Sequence, residues 1–217
     1  MTPFAIAGIQ MPLSAAVENV TAMGHRLDLL MLRYPWVQMV VFSELAAFGP
    51  LPGHAQSLPG PAEASFQAMA LRHGIWLLPG SLYEKKDGRI YNTAPVIDPR
   101  GEVVARYRKM FPFRPYEEAT TPGSEFVVFD VPGAGRFGVS ICYDMWFPET
   151  TRSLAAMGAE VILHPTLTDT GCPPASAVAV LGCSHDNRSP SRRHRSSDPA
   201  HHRPHQGVGL HPPLQPR

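Results

Sequence analysis

Cysteine is scarce in this chain: its three copies, Cys142, Cys172 and Cys183, are odd in number and lack the paired spacing of metal ligands. That argues against a disulfide framework and a structural zinc site, and leaves at most one thiol for chemistry. Charge is just as unpronounced. Nineteen Lys and Arg against 18 Asp and Glu give a formal +1, so no global field points to nucleic acid, an anionic membrane or an acidic substrate. No uncharged apolar run reaches the length of about 18 residues that could span a bilayer. The opening Met1-Thr2-Pro3-Phe4-Ala5-Ile6-Ala7 lacks a basic leader and the apolar stretch of a signal peptide. The expectation is a cytoplasmic protein with no membrane, nucleic-acid, metal or cofactor partner.

What is present suits one globular domain. At 217 residues and 44% hydrophobic content the chain can build one sizeable core. Phe4 to Gln10 reads as a buried strand, and Ser14 to Tyr34 as a helix whose Val17, Val20, Leu27, Leu30 and Tyr34 recur near helical spacing. Val37 to Ser43 is a β-branched-rich strand. A second helix opens at Pro61 and closes at Gly74, with proline at a first turn and glycine just past an end. Strands follow at Ile75 to Leu82, Tyr91 to Ile97, Val103 to Tyr107, Phe126 to Val131 and Phe137 to Cys142, with turns at Asp87-Gly88, Asp98-Pro99-Arg100-Gly101 and Pro132-Gly133. Phe147 to Met157 reads as a helix and Val161 to His164 as a strand. This alternation predicts a layered α/β fold with helices covering sheet faces.

Near Thr170 the composition changes. From Gly171 onward there is no Phe, Trp, Tyr, Lys or Glu, while Arg, His, Pro and Ser crowd runs such as Ser189-Pro190-Ser191-Arg192-Arg193-His194-Arg195. With so little apolar material to offset chain entropy, residues 170–217 are expected to be a disordered tail appended to a domain of residues 1–169. Wrong-frame translation of GC-rich codons yields this residue mix, so a frame slip near Thr170 is favoured over a basic arm in which Arg192, Arg193 and Arg195 bind RNA phosphates. The stretch His201-His202-Arg203-Pro204-His205 could bind a metal only adventitiously.

Three segments place reactive groups just past strand ends, where an α/β sheet gathers catalytic side chains. Val40-Val41-Phe42-Ser43-Glu44 delivers a carboxylate, Arg106-Tyr107-Arg108-Lys109 a cation, and Val139-Ser140-Ile141-Cys142 a thiol. Singly, each is better read as a solvated glutamate, a surface lysine and a small core residue. Jointly they fit one mechanism. A thiol needs a base to become a thiolate, and a cation to hold that thiolate and its oxyanion product. A nearby lysine lowers a cysteine pKa, and a carboxylate partly removed from water can shuttle protons near neutral pH.

In order, spacing and local context, Glu44, Lys109 and Cys142 resemble the Glu-Lys-Cys triad of the nitrilase superfamily of carbon-nitrogen hydrolases. The carrying motifs are Val41-Phe42-Ser43-Glu44, Tyr107-Arg108-Lys109 with Pro112-Phe113, and Gly138-Val139-Ser140-Ile141-Cys142-Tyr143-Asp144-Met145-Trp146-Phe147-Pro148-Glu149, within a resemblance spanning about residues 4–169. The resemblance implies an α-β-β-α sandwich. It also implies a hydrolase of non-peptide carbon-nitrogen bonds that acts through a Cys142 thioester and releases ammonia from a small amide. Glu117, eight residues beyond the lysine and next to Glu118, stands at the family's second glutamate. Tyr143 would supply a backbone oxyanion donor, and Phe48, Tyr116, Trp146 and Phe147 are candidate pocket walls. The Cys-Tyr-Asp context resembles the amidase and carbamoylase branches more than the nitrile-specific one. The strands that complete both sheets in such a family are expected to be missing after Asp169, so the fold is read as incomplete there. An inactive fragment and a basic-tailed RNA-binding protein are the competing readings, and a homo-oligomer is implied for a complete chain. The four side chains Glu44, Lys109, Glu117 and Cys142 are expected to converge in space.

Overall fold

The structure, a computed structural model, describes residues 3–167 and 178–182. In chain order its elements are β1 (Ile6–Ile9), α1 (Val20–Arg33), β2 (Met39–Phe42), α2 (Pro61–His73), β3 (Trp76–Leu78), β4 (Leu82–Lys86), β5 (Arg89–Ile97) and β6 (Val103–Arg108). There follow β7 (Val127–Val131), β8 (Gly135–Val139), α3 (Pro148–Ala156), β9 (Val161–Pro165) and β10 (Val178–Gly182). Two sheets result. The first runs β1-β2-β3-β5-β4 with β6 on β5; β1, β2 and β3 are parallel and the β4-β5-β6 pairings antiparallel. The second runs β10-β9-β8-β7, with a parallel β8-β9 pair between two antiparallel pairings.

Strand β2 explains the layering. All four of its residues are buried, but Val40 and Phe42 pack with Met23 and Leu27 of α1 and Phe66 and Ala70 of α2. Met39 and Val41 point the other way, into a second core with Phe129, Phe137, Val139 and Leu163 of the opposite sheet. A strand covered on both faces is apolar throughout rather than alternating. On the far side, Leu154 of α3 packs with Ala159 and Ile162, and an added Cβ at Gly138 would lie 3.1 Å from Leu154. The order of layers is therefore helix, sheet, sheet, helix, as the resemblance implies.

Where the reading from sequence and the structure differ, the causes are local. Helix α1 begins at Val20 instead of Ser14, because Ser14 and Asn19 tie the preceding residues into a hydrogen-bonded turn; Val17 and Tyr34 are exposed, and the buried face is Val20, Met23 and Leu27. The Ile75 to Leu82 run is interrupted at Pro79-Gly80-Ser81, which divides it into β3 and β4. The Asp87-Gly88 turn is as expected, with both residues at positive φ, the geometry that matches strand twist in a two-residue hairpin. Inside the segment read as tail, Val178–Gly182 pairs antiparallel with β9, and most of it belongs to the segment's longest apolar run, Ala177-Val178-Ala179-Val180-Leu181. Cys172, Cys183, Arg192, Arg193, Arg195 and the histidine stretch lie outside the described residues. Among the described residues no helix is long and apolar enough to cross a membrane.

The interruption after β3 also fixes the end of β2. Gly80 has φ +79°, and a Cβ there would stand 1.7 Å from the Ser43 carbonyl oxygen, so only glycine permits this approach. Next to it the Ser81 hydroxyl accepts the Leu45 N–H at 3.1 Å. Gly80→Ala should therefore lower stability by at least about 2 kcal/mol, combining left-handed strain with the clash. Urea unfolding monitored by circular dichroism measures this, with Gly53→Ala, where a Cβ meets open space, as the neutral control.

Candidate active site

Three loops that leave the C-terminal ends of β2, β6 and β8 meet where the two sheets face each other. Glu44 follows β2 by two residues, Lys109 follows β6 directly, and Cys142 opens a 3-10 turn three residues beyond β8. Glu44, Lys109 and Glu117 are at most 5% exposed, whereas Cys142 is partly accessible. The charged groups are bound to one another. Lys109 Nζ donates to Glu44 Oε1 at 2.8 Å and to Glu117 Oε2 at 2.6 Å.

Each carboxylate accepts three hydrogen bonds. Glu44 receives Lys109 and Asn92 Nδ2 on Oε1 and the Leu167 N–H on Oε2; Glu117 receives Asn92 Nδ2 on Oε1 and Lys109 and the Phe113 N–H on Oε2. The loop that carries Glu117 closes on its own side chain, because Phe113 donates to the carboxylate while its carbonyl accepts the Glu117 N–H at 2.9 Å. Glu118, one position on, is exposed. Chain position thus separates the two adjacent glutamates into a buried, paired one and a solvated one.

Electrostatics follow from this burial. Removal from water pushes Lys109 toward its neutral form, but the charges of Glu44 and Glu117 outweigh that and hold its pKa above the ordinary lysine value. Burial first, and the Glu44 charge second, push the Cys142 thiol up to about 12, against the opposing pull of Lys109. In the resting site the proton stays on sulfur, and Sγ contacts the Leu167 carbonyl at 3.6 Å. Tyr83 of β4 faces the same cluster; burial, then Glu117 and Glu44, raise its hydroxyl well above the usual range.

The backbone at the thiol is unusual. Cys142 has φ +46°, a left-handed conformation that non-glycine residues adopt only when surrounding structure enforces it. Asp144 supplies that enforcement. Fully buried, it accepts the Ile141 N–H at 2.8 Å, the Phe111 N–H at 2.8 Å and the Tyr107 hydroxyl at 2.7 Å, bolting the thiol's turn to the strand end that carries Lys109. Burial raises the Asp144 carboxyl to about 6 in spite of these donors. His164 of β9 pairs with the Ser140 hydroxyl at 2.9 Å, and burial lowers its pKa to about 4, so this histidine is neutral at physiological pH.

Around the thiol lies an aromatic patch. Phe113 stacks on Tyr116 at 5.3 Å and meets Tyr143 at 4.9 Å; Tyr143 contacts Trp146 and Phe147, and Phe147 stacks on Phe111 at 4.0 Å. Tyr116 and Trp146 are more than three-quarters exposed. Phe48 stands apart from this patch, packed against the core between the helices and the first sheet. Among the described residues no group of three His, Cys, Asp or Glu side chains is arranged to hold a metal ion.

The reading from sequence did not single out Asn92, Tyr83 or the Asp144 bolt. Asn92 had a signal: an amide in the middle of the strand run Tyr91-Asn92-Thr93-Ala94-Pro95-Val96, where a buried polar group needs a partner. The Leu167 contacts had none, since they are made by main-chain atoms.

Comparison with known proteins bears on this geometry. The sequence profile of the carbon-nitrogen hydrolase family matches residues 5–197. Over 123 residues the chain is 34% identical to the omega-amidase NIT2 of Homo sapiens and, equally, to omega-amidase NIT2-B of Xenopus laevis, matches that cover 52% of this chain and 44% of each relative. The chain thus spans less than half the length of the curated relatives it matches. Among solved structures, an amidase from Nesterenkonia sp. superposes with a TM-score of 0.68 at 27% identity, covering 77% of this chain and 66% of that one. A mutant of the Nesterenkonia sp. AN1 amidase, carrying the product of Michael addition of acrylamide at its active-site cysteine, superposes at 0.66 and 28% identity, covering 76% and 67%. A carbon-nitrogen hydrolase from Helicobacter pylori G27 gives 0.64 at 25% identity, covering 75% and 59%.

The Asp144 bolt makes a direct prediction. Tyr107→Phe removes one of three donors from a buried carboxylate and should cost about 1 to 3 kcal/mol in chemical denaturation, the usual penalty for a buried group left short of a partner. Tyr116→Phe, on the exposed aromatic patch, should change stability by less than about 0.5 kcal/mol.

Proposed function

From the premise that the chain belongs to the carbon-nitrogen hydrolase family, we propose that it hydrolyses a small amide through a thioester on Cys142, with Glu44 moving the protons. What carries this reading is the buried Lys109 ammonium shared between the Glu44 and Glu117 carboxylates beside a thiol on a left-handed turn. The omega-amidases and the amidase above act on amides by name, and the Cys142-Tyr143-Asp144 context points the same way.

In this mechanism Glu44 accepts the proton from Cys142 Sγ as sulfur attacks the carbonyl carbon. The need for such a base follows from the protonated resting thiol. Negative charge then develops on the former carbonyl oxygen. Two of the three donors on Lys109 Nζ are engaged by carboxylates, and the third is available to that oxygen together with the Tyr143 N–H at the start of the 3-10 turn. Collapse of the intermediate breaks the C–N bond, and the departing nitrogen takes the proton from Glu44. Water, deprotonated by Glu44, attacks the thioester carbon; the C–S bond breaks, the proton returns to sulfur and the carboxylic acid leaves. Glu117 holds Lys109 and orients substrate and water. Tyr116, Trp146 and Phe147, with Phe113 and Tyr143, form an aromatic wall for the acyl portion.

Incubation of the purified chain with primary amides such as propionamide and succinamate should release ammonia. Cys142→Ala should abolish the release, and Lys109→Ala should reduce kcat by about 100- to 1,000-fold, the usual effect of removing one oxyanion donor. A folded protein that releases no ammonia from any amide would make the inactive-fragment reading correct.

A second prediction separates base from nucleophile. Because the Glu44 charge helps raise the Cys142 thiol, Glu44→Gln lowers that pKa and increases the thiolate fraction between pH 8 and 9. The Cys142 thiol should therefore titrate at lower pH in Glu44→Gln than in the parent protein, read as the ultraviolet thiolate absorbance lost in the matching Cys142→Ala variants, while amide hydrolysis is lost. An unchanged or higher titration would contradict the assigned electrostatics.

A further inference from the structure

Asn92 is fully buried in the middle of β5, and among the described residues its side chain bonds to the two glutamates. One nitrogen, Nδ2, donates to Glu44 Oε1 at 2.9 Å and to Glu117 Oε1 at 2.8 Å, while its backbone carbonyl accepts the Lys109 N–H at 2.8 Å. Its Oδ1 is buried with no hydrogen-bond partner among the described residues. Turning the amide over would set that oxygen against two carboxylate oxygens, so only the donor end can occupy the position between them. A buried acceptor left unpaired so that both N–H bonds reach carboxylates indicates where this side chain is needed.

We infer that Asn92 is a positioning residue of the reaction, an amide bridge that fixes the spacing of Glu44 and Glu117. Lys109 after β6, Tyr83 on β4 and Cys142 after β8 also face the pair. All of these remain in a variant at position 92, so differences from the parent protein isolate the bridge.

The catalytic part of this inference rests on Glu44 serving as the base, and its test has one readout that needs catalysis and one that does not. In Asn92→Leu, which keeps the volume and removes both donors, kcat for propionamide hydrolysis should fall at least tenfold while KM changes less than about twofold. Independently, the deficit in Tm caused by Asn92→Leu should be smaller in a Glu117→Gln background than in the parent protein, because one of the two bridged carboxylates is then already gone. Asn92→Ser, whose hydroxyl can donate one bond, should fall between Leu and the parent in each measurement, and it serves alone if Asn92→Leu does not fold. A loss of kcat/KM carried by KM, or a Tm deficit that Glu117→Gln leaves unchanged, would overturn the inference and leave Asn92 as packing. If the parent protein releases no ammonia, the proposed activity fails while the paired Tm measurements still decide the role of Asn92.

Discussion

The structure depends on one ammonium group placed between two carboxylates away from water. A buried charge is tolerated only when it is paired and its remaining hydrogen-bonding capacity is met, and here each carboxylate accepts three donors. Those donors come from β5, from the loops after β6 and β9, and from the loop that bears Glu117. Satisfying the ion cluster therefore requires elements from both sheets to arrive in register. Removing Lys109 would leave the two buried carboxylates without their shared counter-charge.

Much of this was legible in the sequence, for identifiable reasons. Strands such as Met39–Phe42 and Val161–Pro165 are short apolar runs bounded by turn residues, and Pro61 and Gly74 punctuate α2 at both ends. Glu44, Lys109 and Cys142 were singled out because a carboxylate, a cation and a thiol each lie just past a strand end and together fit one mechanism. The beginning of α1 was misjudged because Val17 fits the helical period, yet the side chains of Ser14 and Asn19 give the backbone a competing turn. The division of Ile75 to Leu82 was missed although Pro79-Gly80-Ser81 interrupts the apolar run, and the approach of Gly80 to the Ser43 carbonyl shows why the break falls there. Asn92 and the Tyr107–Asp144 bond join residues 25 to 48 positions apart, beyond what local spacing reveals.

The two glutamates next to Lys109 illustrate how similar side chains acquire different work. Both hold the same ammonium, but Glu44 stands beside the thiol and influences its proton, while Glu117 is locked by the loop that carries it. The left-handed backbone at Cys142 adds a second asymmetry. It comes three residues after the buried end of β8: Ile141 is fully buried, while Cys142 with its left-handed φ is partly accessible.

Leu167 contributes to this centre only through its peptide group, with its N–H on the Glu44 carboxylate and its carbonyl against the Cys142 sulfur. Such a contact is indifferent to the identity of the side chain. As far as these two contacts go, any residue with a backbone N–H can stand at position 167, and proline is barred because it alone lacks the hydrogen that Glu44 accepts. A determinant of the centre is thus carried where comparison of side chains between relatives would register only variability.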